Sequence, residues 1–347
     1  MIKVLKKIKQ RIYNIIARER YYKRDKHFIL DLSLPKLSKS ELKSIQAAWP
    51  SLSIKNKDLI WARIYKKERS FSPYFLCDYQ YGEILKRINP IKQLYALQNK
   101  AMCDIYFPQL SWPKVYIRSI NGVLYNRNMD IIHDKNELAD VLRSFERAII
   151  KPTIESGCGA GVMLIKKPRI ESFMDIVKSY KGNFVIQEVV LQHNEIQKLN
   201  PSSLNTCRIT SVFINGKFNA TAILKVGKEN SILDNCHSSI LIGIDDEGNL
   251  NEYGYDINLK RHLRSDNGIA FSGFKVPFFM EMMEFVKSNH QKLFPNAGII
   301  GWDIVADNTG KITVIEINLD FPGILGEQLA TYTFFEEFAQ EINIIAS

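Results

Sequence analysis

Two spacings of apolar residues run along this chain, and the change from one to the other divides it. Leu5, Ile8, Ile12, Ile15 and Ile16 recur at helical spacing while Lys6, Lys7, Lys9 and Arg11 fall largely elsewhere on the wheel, so residues 1–26 predict a basic amphipathic helix. Residues 38–46, 55–67 and 79–87 each hold helix formers at 3–4 spacing, separated by Pro35, Pro50, Pro73 and Pro90. A further helix is expected to open at Pro90 and to carry Leu94, Leu97 and the segment Lys100-Ala101-Met102. Residues 27–113 thus predict a mainly helical accessory region.

From Lys114 the pattern shortens to that of strands. Residues 115–120 and 123–126 read as a hairpin turned at Asn121-Gly122, and 209–214 with 218–225 as another turned at Asn215-Gly216. Between them come a helix (138–147), a buried strand (148–152), a glycine-rich stretch (155–161) that opens a strand (162–166), a helix (170–180) and a strand (184–190). Beyond lie a strand (239–244), a helix from Pro277 to Leu293, an apolar hairpin from Gly301 to Asp320 and a helical end (326–345). The fold class expected is α+β, with one smaller subdomain at 114–190 and a larger one at 191–347.

The hairpin 301–320 sets polar residues into a buried pattern. With a four-residue loop over 307–310, Ala306 faces Lys311, and Asp303 lies opposite Val314 and diagonal to Glu316. Side chains alternate along a strand, so Glu316 and Asn318 share a face about 6.6 Å apart, with a diagonal neighbour about 7–8 Å away. Two carboxylates and an amide oxygen are hard donors that suit magnesium, which usually keeps waters and bridges to phosphates. An acid-bearing edge hairpin accounts for the same residues if nothing else converges on them.

The glycine stretch follows Lys151 and precedes a strand. A phosphate loop of the dinucleotide or Walker kind opens a helix, so neither is present. What remains is a hairpin lid whose backbone N–H groups can close on polyphosphate, with Lys151 at its root. Arg208 stands at the start of a strand and offers planar donors for carboxylate or phosphate.

Composition narrows the classes. At 347 residues, with 46% hydrophobic and 24% charged, the chain can bury two or three subdomains. Five cysteines without a C-x-x-C pair encode neither a disulfide framework nor a zinc site, which implies a reducing compartment, and the cytoplasm is the location expected. No apolar run reaches the 18 or so residues of a spanning helix, and there is no signal-peptide core. The net charge of +10 is concentrated in residues 1–26, where ten Lys or Arg face Glu19 and Asp25. That segment suits an anionic membrane surface, or a helix packed on the body with its lysines in water. Without aromatic stacking positions, nucleic acid is not the expected partner.

Taken in order, Lys100, Lys151 with residues 155–162, Gln187-Glu188-Val189-Val190, Asn205-Thr206-Cys207-Arg208, Asp234-Asn235, Gly301-Trp302-Asp303 and Glu316-Ile317-Asn318 resemble the ATP-grasp superfamily. The closest branch is the sugar-transfer-associated one, over about residues 90–330. The resemblance implies an ATP-grasp fold, with ATP clasped between two α+β subdomains. It places Lys100, Lys151, Glu155, Ser156, Gly157, Gly159 and Gly161 at the phosphates, Gln187, Glu188, Val189 and Val190 at adenine, and Glu195 at the ribose. Asp303, Glu316 and Asn318 would hold Mg2+, or Mn2+, and Arg208, Lys151 and Asn235 would serve catalysis. The activity implied is an ATP-dependent carboxylate–amine ligase acting through an acyl phosphate. Its substrates would be an amine or amino acid and a uronic-acid-type glycan carboxylate of bacterial surface polysaccharide. A non-ligating ATP-binding module and a sugar phosphotransferase are the alternatives. Asp234-Asn235 is followed here by Cys236-His237 and not by the branch's glycine pair, so the acceptor pocket is expected to differ.

Overall fold

The structure, a computed structural model, describes residues 2–154, 159–166, 170–180, 183–228, 231 and 238–346. Seven helices come first: α1 (Ile2–Asp25), α2 (Phe28–Asp31), α3 (Lys39–Ala48), α4 (Ile60–Glu68), α5 (Asp78–Ile88), α6 (Ile91–Leu94) and α7 (Cys103–Tyr106). Ser38 starts α3 with a capping box, its hydroxyl accepting from the Glu41 N–H at 3.1 Å while Glu41 accepts from the Ser38 N–H at 2.6 Å. The run expected at 55–67 divides into a 3-10 turn (Asn56–Leu59) and α4. Lys100 is not helical, contrary to the sequence reading. Its N–H donates to the Thr153 carbonyl at 2.9 Å, which ties the segment to the end of a strand and ends helical continuation.

Two antiparallel sheets follow. The smaller runs β2-β1-β5-β3-β4, from β1 (Val115–Ile120), β2 (Val123–Tyr125), β3 (Arg147–Pro152), β4 (Met163–Lys166) and β5 (Phe184–Glu188). The larger runs β10-β9-β8-β7-β6-β11-β12, from β6 (Cys207–Ile214), β7 (Lys217–Gly227), β8 (Ser239–Ile244), β9 (Leu250–Tyr255), β10 (Arg261–His262), β11 (Ile299–Ala306) and β12 (Ile312–Asn318). Asn121-Gly122 and Asn215-Gly216 turn their hairpins with positive φ at both residues, the backbone that matches strand twist.

Helices α8 (Lys135–Arg143) and α9 (Ile170–Ser179) supply Leu138, Leu142 and Phe173 to the core of the smaller sheet, beside Ile117, Ile150 and Ile186. α10 (Asn194–Leu199) and α11 (Phe279–Leu293) bury Leu199, Met282 and Val286 with Ile209, Leu224 and Trp302 of the larger one. The accessory helices are not isolated from this body. Trp49, Tyr81, Ile84 and Ile88 pack with Val212 and Ile299 of the larger sheet and with Phe334 and Phe338, so helical region and sheet share one core. The C-terminal stretch breaks into α12 (Leu325–Ala330), a 3-10 turn and α13 (Ala339–Ala346).

The β11–β12 register departs from the expected one. Ala306 pairs with Ile312, not Lys311, because the turn closes over 308–310 with Gly310 at φ 82, which leaves Asp307 opposite Lys311. Such a three-residue loop ends in a left-handed residue by preference. The register then slips between Ile304 and Asp303, and Asp303 pairs directly with Glu316. The slip coincides with Val314 donating its N–H to Ser111 at 2.8 Å, outside the hairpin. Asn89 ties both strands to the helices, donating to the carbonyls of Ile299 and Leu319 at 2.9 Å each.

At Gly310 a Cβ would stand 2.7 Å from the Phe278 ring, at a φ that L-residues rarely adopt. Gly310→Ala is therefore expected to destabilise the protein by about 1–3 kcal/mol. Urea unfolding checks this; an unchanged midpoint would mean the turn relaxes freely.

Candidate active site

A cavity of about 720 Å³ lies between the sheets. The smaller sheet contributes Arg147, Ile149, Lys151 and Leu164, and the chain leaving it contributes Gln187 through Gln192. The larger sheet contributes Arg208, Ile223, Lys225, Leu241, Asp303, Ile315, Glu316 and Asn318. An apolar slot with polar groups at one end is the form of a small-molecule site.

Charge converges at the polar end. β6 and β11 pair Arg208 with Asp303, and the guanidinium grips the carboxylate through two bonds, Nε–Oδ1 at 2.8 Å and Nη2–Oδ2 at 2.7 Å. Lys225, diagonal to Arg208 on β7, lies 2.9 Å from Oδ1. Burial works to raise the Asp303 carboxyl, but Arg208 and Lys225 outweigh it and hold it well below the usual carboxylate range. Burial likewise opposes the Arg208 charge, and Asp303 more than restores it. Glu327 on α12 sits 3.6 Å from Arg208; burial raises its carboxyl, and Arg208 offsets that in part.

Two lysines approach Glu316 from the other side. Lys100 Nζ is 3.0 Å from Glu316 Oε1, and Lys151 Nζ donates to the Ile315 carbonyl at 3.4 Å, so a lysine of the smaller sheet touches the larger one. Lys151 is 7% exposed; burial and then the Lys100 charge lower its ammonium to about 8, against the pull of Glu316. Four cations thus face Asp303, Glu316 and Glu327, an excess of positive charge that suits a polyanion.

The structure brings Lys100, Lys151, Gly159, Gln187, Glu188, Val189, Val190, Arg208, Asp303, Glu316 and Asn318 to this one cavity. Gly161 stands near it with φ 74, held where a Cβ would meet the Pro152 ring at 2.8 Å. Glu195 is not in the lining: it lies on the exposed face of α10, paired with Lys198 at 2.6 Å, while Asn194 and Gln197 of that helix face the cavity. Glu155, Ser156, Gly157, Cys158, Asp234 and Asn235 lie outside the described residues. Sequence reasoning missed Lys225, Glu327 and Asp78, all in the lining. For Lys225 a signal existed, a lysine inside the apolar run Ala222-Ile223-Leu224-Lys225-Val226. Asn205 has a structural place: it accepts from the Gly227 N–H at 3.2 Å and donates to the Asn200 carbonyl at 2.9 Å, holding the chain before Arg208.

Among the described residues no three His, Cys, Asp or Glu cluster to cage a metal. Two carboxylates and the Asn318 side chain do come together: Asp303 pairs with Glu316 across the strands, and Asn318 Nδ2 donates to the Gly301 carbonyl at 3.2 Å and to Asp303 Oδ2 at 3.5 Å, which leaves its Oδ1 as the metal-type donor. This donor set fits magnesium that completes its shell with water and phosphate oxygens.

A family model described as sugar-transfer associated ATP-grasp matches residues 80–343. No curated protein matches the chain. Among solved structures, D-alanyl-alanine synthetase A of Vibrio cholerae is similar at 9% identity and a TM-score of 0.44, over 71% of this chain and 63% of that one. An L-amino acid ligase of Bacillus licheniformis is similar at 12% and 0.39, over 69% and 43%. The D-cycloserine synthetase DcsG is similar at 13% and 0.42, over 87% and 93%. The alignment thus spans less than two thirds of the synthetase and of the L-amino acid ligase.

The buried pair and the exposed acid separate by stability. Asp303→Asn strands the Arg208 charge and is expected to cost about 3–5 kcal/mol. Glu316, with 29% of its side chain exposed, is expected to tolerate Gln within about 1 kcal/mol. Urea unfolding of both variants checks the contrast, and equal losses would refute it.

Lys151 carries a pH signature. Its folded pKa lies below that of the unfolded chain, so keeping it charged costs stability below pH 8, and the cost fades as pH rises toward about 10.5. At about 1.4 kcal/mol per unit the cost is on the order of 3 kcal/mol. Lys151→Met should stabilise the ligand-free protein at pH 7 by up to that amount, with the gain shrinking above pH 8. Paired denaturation curves from pH 7 to 10.5 test this, and a constant difference would overturn it.

Proposed function

Because the chain belongs to the sugar-transfer associated ATP-grasp family, we propose that it is an ATP- and magnesium-dependent ligase joining a carboxylate to an amine through an acyl phosphate. The carboxylate is assigned to a uronic-acid-type glycan unit of bacterial surface polysaccharide, the amine to an amino acid or small amine, and the place of action to the cytoplasm. The observation that carries the reading is the meeting of Lys100, Lys151, Arg208 and Lys225 with Asp303, Glu316 and Asn318 at one end of an apolar slot.

The residue types suit the chemistry. A substrate carboxylate oxygen attacks the γ-phosphorus of ATP and ADP departs; the amine nitrogen then attacks the acyl carbon, phosphate departs, and the amine proton passes to solvent. Neither step needs a protein nucleophile. Positioning and neutralisation of phosphoryl charge do the work, a task for Lys100, Lys151 and Lys225. Held by Asp303, Arg208 keeps Nη1 outside that pair and 3.6 Å from Glu327, a donor that a substrate carboxylate or an oxyanion would share with that acid. Magnesium, held by Asp303, Glu316 and Asn318, would supply further charge at the phosphate oxygens. Ile149, Leu164 and Ile315 offer an apolar slot for a purine, with the backbone of Gln187 through Val190 at its edge. Asn235 is retained as a catalytic candidate on the acceptor side.

The test is purified protein with ATP, magnesium, uronate-containing glycan and mixed amino acids, read as ADP release and as the mass of the glycan. A condensation product is expected, and Glu316→Gln or Lys151→Met should lower turnover by about 100-fold or more. A thermal shift with ATP but no turnover on any acceptor would make the chain a binding module. A phosphorylated sugar would make it a phosphotransferase. A fully active Glu316→Gln protein would remove the metal assignment.

A further inference from the structure

Among the described side chains of helix α1, one face meets the body and another does not. Arg18 pairs with Asp58 at 2.9 Å, the Trp61 indole N–H donates to Asp25 at 2.9 Å, and Tyr21 and Tyr22 pack on the cluster of Phe28, Trp61 and Tyr65. At 3.6 residues per turn, Ile12, Ile15 and Ile16 are centred about 120° round the axis from that face. They are 51%, 55% and 63% exposed. The sequence continues the same series back to Ile8 and Leu5, and Lys9 and Arg11 fall on its two borders by the same count. An apolar helix face packed on the body, one of the two readings of this segment, is therefore not what the described part of α1 shows.

We infer that α1 is an in-plane membrane-binding helix, and that its occupant is an anionic lipid surface. Isoleucines flanked by cations on a helix lying flat are the pattern that buries an apolar face at the headgroup boundary while basic residues meet lipid phosphate. Charge selects lipid over a second copy. Residues 1–26 carry ten basic against two acidic residues, so pairing two chains through this ridge would press like charges together, whereas an anionic surface neutralises them. The helix also ends at the active-site cavity: Arg24 Nη1 lies 2.7 Å from Asp78 Oδ2, and Asp78 lines the cavity wall. Docking would thus fix the cavity relative to the lipid surface, with Asp78 of its wall beside one end of the docked helix. The inference is independent of the reaction assigned to the cavity.

Full-length protein is sedimented with vesicles of phosphatidylglycerol and phosphatidylcholine at equal parts and with vesicles of phosphatidylcholine alone. Binding to the anionic vesicles is expected, at least tenfold weaker on the neutral ones and weaker again in 0.5 M salt. The triple substitution Ile12→Ser, Ile15→Ser, Ile16→Ser lies on the exposed face. It should leave the melting temperature and ATP-induced thermal shift unchanged and reduce anionic-vesicle binding at least tenfold. Equal binding by wild type and variant would overturn the proposal, as would no binding at all. Concentration-dependent dimerisation lost in the variant, without vesicle binding, would assign the ridge to a second copy instead.

Discussion

The bidentate pair of Arg208 and Asp303 is the constraint on which the active site rests. Both charges are out of water, and desolvating them costs several kcal/mol per ion, so the pair persists only with good geometry and further partners. It has both: two short parallel bonds fixed by the β6–β11 register, and Lys225 on the next strand 2.9 Å from one carboxylate oxygen. Locking Asp303 fixes one face of β11. The register slip then brings Glu316 directly across, where its partly exposed side chain is available to ligands in a way Asp303 alone is not.

Against this anchored edge the smaller sheet presents a strained cation. Lys151 is buried next to Lys100, and its hydrogen bond among the described residues is a long one to a carbonyl. Structural lysines are seldom kept this way, because replacing the charge with a methyl group would be more stable. Under the proposed function, a polyanion entering the cavity would bring negative charge to this buried lysine. On that reading, the stability given up at Lys151 would leave a donor in place for a phosphate chain, a form of preorganisation that raises affinity by sparing reorganisation on binding.

Much of this was legible in the sequence because strands report their faces through alternation. Asp303, Glu316 and Asn318 stand out as polar residues in apolar runs, and Asn-Gly pairs marked two hairpins where they occur. The exact partner of Asp303 was not legible. It depends on a three-residue turn and on the Val314 N–H leaving the ladder for Ser111, a contact across some two hundred positions of chain. Lys100 looked helical because its neighbours have helical propensity, and a single backbone bond to Thr153 overrode them. Glu327 and Asp78 were invisible for a similar reason. Acids near helix starts are usually solvated, and tertiary packing turns these two inward, Glu327 through α12 on the larger sheet and Asp78 beside Arg24 of α1.

The cavity wall has two sources. The charged cluster uses Lys100 and residues of both sheets, all inside the span that the family shares. A second stretch of wall is Phe321, Gly323 through Glu327 and Asp78, with Phe321 held edge-on to Tyr81 at 5.1 Å and Glu327 reaching Arg208 at 3.6 Å. Asp78 precedes the family span and is held by Arg24 of α1. One wall residue, Asp78, thus lies outside the family span and is held by a helix outside it, and those outer helices pack on the shared fold through one continuous core. Under the proposed function, changes in those helices would reshape this wall while leaving the Asp303–Glu316 strand pair in place. One core underlies both: Tyr81, fully buried against Phe321, also packs with Ile84, Ile88 and Ile299 at the start of β11, so this wall and the strand that bears Asp303 share a foundation.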